Sequence, residues 1–223
     1  GKQFSIPIGI SIAKTNCLAA ADPDTAIADY VKTLQTMAGI GSYDTINISC
    51  PNAYGGQPFT DSQLLDRLLQ ATDAVETGKP AFLKLSPDLT RDELNKIIEV
   101  SRRHRIRGFI STNLTKSRAG IEDASIPPKG GLSGKIVENL ANRQLAYLYQ
   151  TCGREFILIG CGGIFSAEDA YKKIRLGASL VQLITSMIFE GPQLIGEINR
   201  GLTRLLRRDG LTRISDAIGL DNK

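Results

Sequence analysis

Six short apolar runs, each followed by an amphipathic stretch, constrain this chain more than any other feature. They are "IPIGISIA" (6 to 13), "TINISC" (45 to 50), "AFLKLS" (81 to 86), "GFISTN" (108 to 113), "FILIGC" (156 to 161) and "LVQLIT" (180 to 185). Their length and β-branched content predict strands, and the intervening segments carry helical periodicity. In "TRDELNKIIEVSRRH", Thr90 and Glu93 have capping-box spacing, and Leu94, Ile97 and Ile98 share one face. In "PQLIGEINRGLTRLL", Ile195, Ile198, Leu202, Leu205 and Leu206 make another apolar face.

Strict strand and helix alternation implies parallel strands with helices outside, as an open doubly wound sheet or a (β/α)8 barrel. Polar residues at the strand exits favour the barrel, where such ends converge on one mouth. Cys50 and Asn52, Lys84 and Ser86, Thr112 and Asn113, Gly162 and Gly163, and Thr185 and Ser186 all fall at these exits. The fold class expected is α/β, with a TIM (β/α)8 barrel and an open sheet both left standing by the residues alone, and residues 1 to 223 are read as one domain. A closed barrel needs eight units. The two not visible are expected to precede Gly1, since the chain opens on "GKQF" and is within an apolar run by Ile6.

Composition excludes several function classes. With 223 residues and 42% hydrophobic content, the chain can bury a core without disulfides or metal. The net charge of +4 is modest, and the arginines of "TRLLRRDGLTR" alternate with leucines at helical spacing, which reads as a solvated helix face and not a nucleic-acid patch. Cysteines 17, 50, 152 and 161 form no CxxC pair, and neither they nor His104, the only histidine, have metal-ligand spacing. No apolar run reaches membrane-spanning length and no signal peptide is visible, so a reducing cytoplasmic location is expected.

Several stretches carry candidate chemistry. "KGGLSGKI" (129 to 136) approaches a nucleoside-triphosphate P-loop, but Lys129 stands where the first glycine belongs and Ile136 where Ser or Thr should follow Gly-Lys. ATP and GTP binding are rejected, and the glycines read as a loop or a close backbone approach to a ligand. "IGCGGIFSAEDA" (159 to 170) is a better phosphate cradle, with Gly162 and Gly163 leaving a strand and Ser166 opening a helix; a tight turn with a capping serine is the plainer reading. Lys84 lies inside an apolar strand, where an ammonium needs an anionic partner, either a structural carboxylate or an electron-rich cofactor. Asn47, Asn52 and Asn113 suit a planar ligand bearing amide groups. His104, after two arginines near a helix end, reads as a surface residue. That leaves Cys50 as the best candidate for moving a proton, against the alternative of a small core residue.

"NISCPN", "KLSPDLT", "STNLT", "GGLSG", "IGCGGIFSAEDAYKKIRLGASLVQL" and "EGP" together resemble the dihydroorotate dehydrogenases. The resemblance runs over essentially the whole chain, with the motifs ordered as in the family. It implies a flavin-containing (β/α)8 barrel that oxidises dihydroorotate to orotate in pyrimidine synthesis, the present residues covering roughly its last six units. It further implies that Asn47, Lys84 and Thr112 contact FMN and that Gly134, Gly163, Ile184 and Thr185 lie along its backbone and phosphate. Asn52 and Asn113 would hold the substrate, and Cys50 would be the catalytic base. Members that pass electrons to quinone typically carry serine at position 50, and soluble members cysteine, whereas "STNLTKSR" and "AEDAYKKIRLGASLVQL" look more like the quinone group. Ser11 stands where many members have a flavin-contacting asparagine, and Leu114 where quinone-type members place a substrate-binding threonine.

The resemblance leaves the electron acceptor open among quinone, fumarate and NAD. A quinone-linked protein would be peripheral to the membrane. The oligomeric state is also open, a homodimer included. Two further readings stand beside the first: a related flavin enzyme acting on dihydrouracil or another cyclic amide, motivated by Leu114, and an inactive barrel remnant that serves as a structural or binding module.

Overall fold

The computed structural model describes residues 5–119, 126, 127 and 129–222, so the "GKQF" start lies outside the described residues. The chain divides into two compact units, one of residues 1–85 and 89–108 and the other of 86–88 and 109–223, with the division falling inside the fourth strand.

The first unit runs β1 (Gly9–Ile12), α1 (Pro23–Met37), β2 (Tyr43–Asn47), α2 (Ser62–Asp73), β3 (Ala81–Leu85) and α3 (Arg91–Arg102). The strands pair in parallel in chain order, with Ser11 opposite Thr45, Ile46 opposite Leu83 and Asn47 opposite Lys84. Helix starts follow from local chemistry. Asp22 accepts the Thr25 amide ahead of Pro23, and Asp61 accepts those of Gln63 and Leu64. At α3 the expected capping box between Thr90 and Glu93 is present, and Leu94, Ile97 and Ile98 are buried. Leu65, Leu68 and Leu69 of α2 are fully buried as well. A buried ion pair, Lys79 to Asp44 at 2.7 Å, closes the amino-terminal end of β2.

The second unit contains the end of β4 (Ile106–Ser111), then α4 (Glu138–Cys152), β5 (Ile157–Cys161), α5 (Ala167–Arg175), β6 (Leu180–Gln182), α6 (Thr185–Glu190), α7 (Gln193–Arg208) and α8 (Ile214–Ala217). β5 and β6 are parallel, with Cys161 opposite Gln182. The arginines Arg204, Arg207 and Arg208 face solvent, as their spacing implies. Six strands alternate with helices as expected, but three details differ. β2 ends at Asn47 and not at Cys50. Thr185 and Ser186 do not end a strand; they open α6. On α7, Ile195 is 46% exposed and Leu194 takes the core place beside Ile198, Gly201 and Leu205.

Lys173 of α5 is wholly buried, its stem lying over Gly160, and its ammonium donates to Asn142 Oδ1 of α4 at 2.7 Å. Burial pushes this amine down to about 8, against the attraction of Cys161, Glu138 and Asp169. Below pH 8 folded and unfolded chains are both protonated and the full cost of burying the charge is borne. Between pH 8 and the unfolded value of 10.5 the folded state has shed a proton that the unfolded state keeps, so stability rises with pH. Urea denaturation from pH 7 to 10.5 should show wild-type stability climbing relative to Lys173→Met by on the order of 2–3 kcal/mol; parallel curves would mean that the amine is neutral, or charged, throughout.

Candidate active site

In the first unit the site residues gather where β1, β2 and β3 end. Parallel pairing puts Asn47 beside Lys84, and Ser11, through its partner Thr45, on the same sheet face. Ser11 is exposed, and Asn47 and Lys84 are half-buried. Lys84 has no hydrogen-bond or ion-pair partner among the described residues. Of the two partners expected for it, a structural carboxylate is thus not found there.

β2 stops early because Asn47 turns back on the chain. Its Oδ1 accepts the Ser49 amide at 3.2 Å and the Ser49 hydroxyl at 2.9 Å, an Asx turn that takes the backbone out of the ladder. Ser49 is buried, Cys50 is half-buried with a free thiol, and Asn52 is exposed. Cys50 therefore lies on a loop three residues past the strand.

Two residues that the sequence reading passed over hold this loop. The first is Tyr30 of α1, buried and packed edge-to-face on Phe59 with centroids 5.6 Å apart. Its hydroxyl donates to the Asn47 carbonyl at 2.7 Å. Burial raises the Tyr30 phenol well above the tyrosine range; the Lys14 backbone N–H opposes this, and Cys50 and Asp29 add to the rise. Tyr30 thus stays a neutral donor beside the candidate base. The second is Lys14, buried, whose ammonium donates to the carbonyl oxygens of Ala20, at 3.0 Å, and Tyr54. One tyrosine in an amphipathic helix and one lysine after a strand carry no distinguishing signal alone.

In the second unit, Thr112 is buried and its amide donates to the Cys161 carbonyl at 2.9 Å. Asn113 is half-buried and its Oδ1 accepts the Leu114 amide at 2.9 Å. The strand-exit loop continues to Thr115, which bridges Leu132, while Asp88 accepts the Thr115 hydroxyl and the Lys116 amide. Gly134 and Gly163 both have positive φ, of 87° and 76°. A Cβ at Gly163 would fall 2.4 Å from that of Glu138, and one at Gly134 would lie 3.1 Å from Thr185 Cγ2. The Thr185 hydroxyl donates to Ser133 Oγ at 2.9 Å, Ile184 is exposed, and the buried Ser186 hydroxyl has no partner among the described residues. Gly134 is therefore brought against Thr185, and Gly163 against Glu138.

The P-loop-like lysine has another task. Lys135 pairs with Asp169 at 2.6 Å and Glu138 at 2.9 Å. Burial works against the charge on Asp169, but the Lys135 hydrogen bond and the Phe165 amide outweigh it and hold the carboxyl below its ordinary range. Ser166 is the cap of α5, accepting the Asp169 amide at 3.1 Å. His104 is not a surface residue. Its ring is largely buried between Asp73 at 2.8 Å and Asp66 at 3.1 Å, a tie between α3 and α2. No group of three or more His, Cys, Asp or Glu side chains placed to hold a metal occurs among the described residues, and no helix there is long and apolar enough to cross a membrane.

Parallel strands alternating with helices, with polar side chains at the strand exits, define an α/β protein of the (β/α)-barrel type. The chain belongs to the dihydroorotate dehydrogenase family, whose model matches residues 1–206. It is 37% identical over 222 residues to a dihydroorotate dehydrogenase (quinone) of Anaeromyxobacter dehalogenans (strain 2CP-C), covering 97% of this chain and 60% of that protein. It is 35% identical to the protein of the same name from Synechocystis sp. (strain ATCC 27184 / PCC 6803 / Kazusa), covering 97% and 58%. The chain thus spans about 60% of the length of the curated relatives it matches. Among solved structures it is similar to the ligand-free type DHODH from Eimeria tenella, with TM-score 0.88 and 28% identity over 97% of this chain and 64% of that one.

Removing the Tyr30 hydroxyl takes a donor from a part-buried carbonyl. Tyr30→Phe should lower unfolding stability by about 1–3 kcal/mol in denaturant melts, while Tyr43→Phe, whose hydroxyl makes no such bond among the described residues, should stay within about 0.5 kcal/mol of wild type. Equal losses would remove Tyr30 from its place as the strut at the end of β2.

Proposed function

We propose that this chain is part of an FMN-dependent oxidoreductase that converts dihydroorotate to orotate in pyrimidine synthesis. The observation that carries the reading is Lys84, a half-buried residue in register with Asn47 at the end of a parallel strand and without a carboxylate partner among the described residues. A half-buried lysine at a strand exit without a protein anion favours a ligand that brings negative charge or electron density.

FMN, when bound, supplies the two-electron acceptor. In the first unit Asn47 and Lys84 would contact it, with Ser11 on the same face offering a hydroxyl in place of a carboxamide. In the second unit Thr112 would contact it, and the backbone of Gly134, Gly163, Ile184 and Thr185 would take its phosphate. Support for a phosphate comes from two glycines at positive φ, and from a buried Ser186 hydroxyl that has no partner among the described residues. Asn52 and Asn113 would hold the planar, amide-bearing substrate.

Cys50 is the proton acceptor. As a thiolate it takes a proton from one substrate carbon while a hydride leaves the adjacent carbon, so that the carbon pair becomes a double bond. Its loop position, half-buried and beyond the strand, lets the sulfur meet a ligand face and not the core. The curated relatives' names favour quinone as the electron acceptor, and with it a cytoplasmic protein that meets the membrane at its surface.

The test is anaerobic stopped-flow reduction of the FMN-loaded protein by dihydroorotate across pH. The rate should rise with pH as the thiolate forms. Cys50→Ala should abolish reduction while leaving FMN bound and orotate affinity largely intact, because proton removal is a transition-state role. Cys50→Ser should retain a slower reaction that needs higher pH, since an alcohol gives up its proton less readily. Wild-type rates from the alanine variant would leave Cys50 as packing, and reduction by dihydrouracil in preference to dihydroorotate would move the substrate to the cyclic amides without a carboxylate.

A further inference from the structure

We infer that Lys14 and Asn16, on the loop after β1, are positioning residues that clamp the peptide of Tyr54 and thereby set the loop that carries Cys50 and Asn52. The inference rests on the functional reading above for the role of those two residues, and on the geometry alone for the clamp.

Both polar atoms of one backbone residue are held from the neighbouring loop. The Tyr54 carbonyl accepts from the Lys14 ammonium, and the Tyr54 amide donates to Asn16 Oδ1 at 2.8 Å. Side chains here do what a ladder strand does elsewhere, satisfying donor and acceptor of a segment that has left the sheet. The Tyr54 side chain is 54% exposed, so its own packing does not fix the loop.

Lys14 is an unusual choice for this task. It is 9% exposed and makes no ion pair among the described residues; its charge is met by two carbonyl dipoles, of Ala20 and Tyr54. Burying an ammonium is costly, so the two charge-assisted bonds must be strong enough to offset desolvation, and losing one leaves the charge under-solvated. The loop after β1 is itself anchored, because Asp29 of α1 accepts the Thr15 amide at 2.6 Å and the Thr15 hydroxyl at 3.1 Å. On the other side, Gln57 Nε2 donates to the Ser49 carbonyl at 3.1 Å, and a Cβ at Gly55 would come within 3.0 Å of Ala21. The segment from Ser49 to Gln57 is thus held at its root and at Tyr54, with Cys50 and Asn52 between the two points.

The test uses the FMN-loaded protein and two readouts that do not depend on turnover, namely hydrogen exchange of the peptide spanning Cys50 to Gly56 and the mapped alkylation rate of Cys50 by iodoacetamide. Lys14→Met, which keeps the stem and removes the donors, should speed both by about tenfold or more, leave exchange in β2 and β3 unchanged, and slow flavin reduction by saturating dihydroorotate. Asn16→Ala should act in the same direction, and Asn16→Asp, which keeps an acceptor for the Tyr54 amide, should restore wild-type exchange. Exchange and alkylation that do not move in Lys14→Met, or exchange that rises equally in the strands and the loop, would overturn the clamp. Wild-type protein that dihydroorotate fails to reduce would reject the functional reading, and the exchange and alkylation rates would still decide the clamp.

Discussion

The register that sets Asn47 beside Lys84 is the constraint on which the candidate site in the first unit depends. Parallel pairing fixes which side chains share a face, and a slip of one residue would turn Lys84 into the core side. With this register, Ile46 and Leu83 are buried together while a carboxamide and an ammonium stand side by side at the strand ends. The core therefore places the polar pair, and the polar pair in turn ends the strand, because Asn47 spends its side-chain oxygen on Ser49.

The second unit solves a different problem with different means. Its candidate phosphate elements are backbone, drawn tight by glycines and fixed by the Lys135, Glu138 and Asp169 ion cluster beside them. Lys135 lies in the stretch that approaches a nucleotide loop in sequence, and it is engaged with two carboxylates. The helix after β5 has its own cap and its own acidic first turn, so its amino-terminal end is largely self-satisfied.

Much of the architecture was legible because it rests on periodicity. The six apolar runs became six strands, the capping box at Thr90 formed, and the apolar face of α3 is buried where its spacing placed it. Boundaries were less legible. Asn47 looked like an ordinary strand residue, and only its bond to Ser49 shows that the strand stops there. Thr185 continued an apolar run, yet it opens α6 after a strand of three residues. Ile195 and Leu194 are both apolar neighbours on α7, and the choice between them depends on packing and not on pattern. His104 seemed exposed beside two arginines, but a ring nitrogen on each side finds an aspartate of α2, a partnership made by tertiary contact. Lys14 and Tyr30 were missed for the same reason: their partners are backbone carbonyls, which any sequence offers at every position.

Lys84 is the residue on which the functional claim turns, because its charge has no described protein partner. Equilibrium FMN binding to wild type and Lys84→Ala, together with the midpoint potential of the bound flavin, tests that claim most directly. If the ammonium is reserved for the cofactor, the alanine variant should bind FMN about tenfold or more weakly and hold it at a lower potential. An alanine variant that binds FMN with unchanged affinity and potential would contradict it and make Lys84 a structural residue.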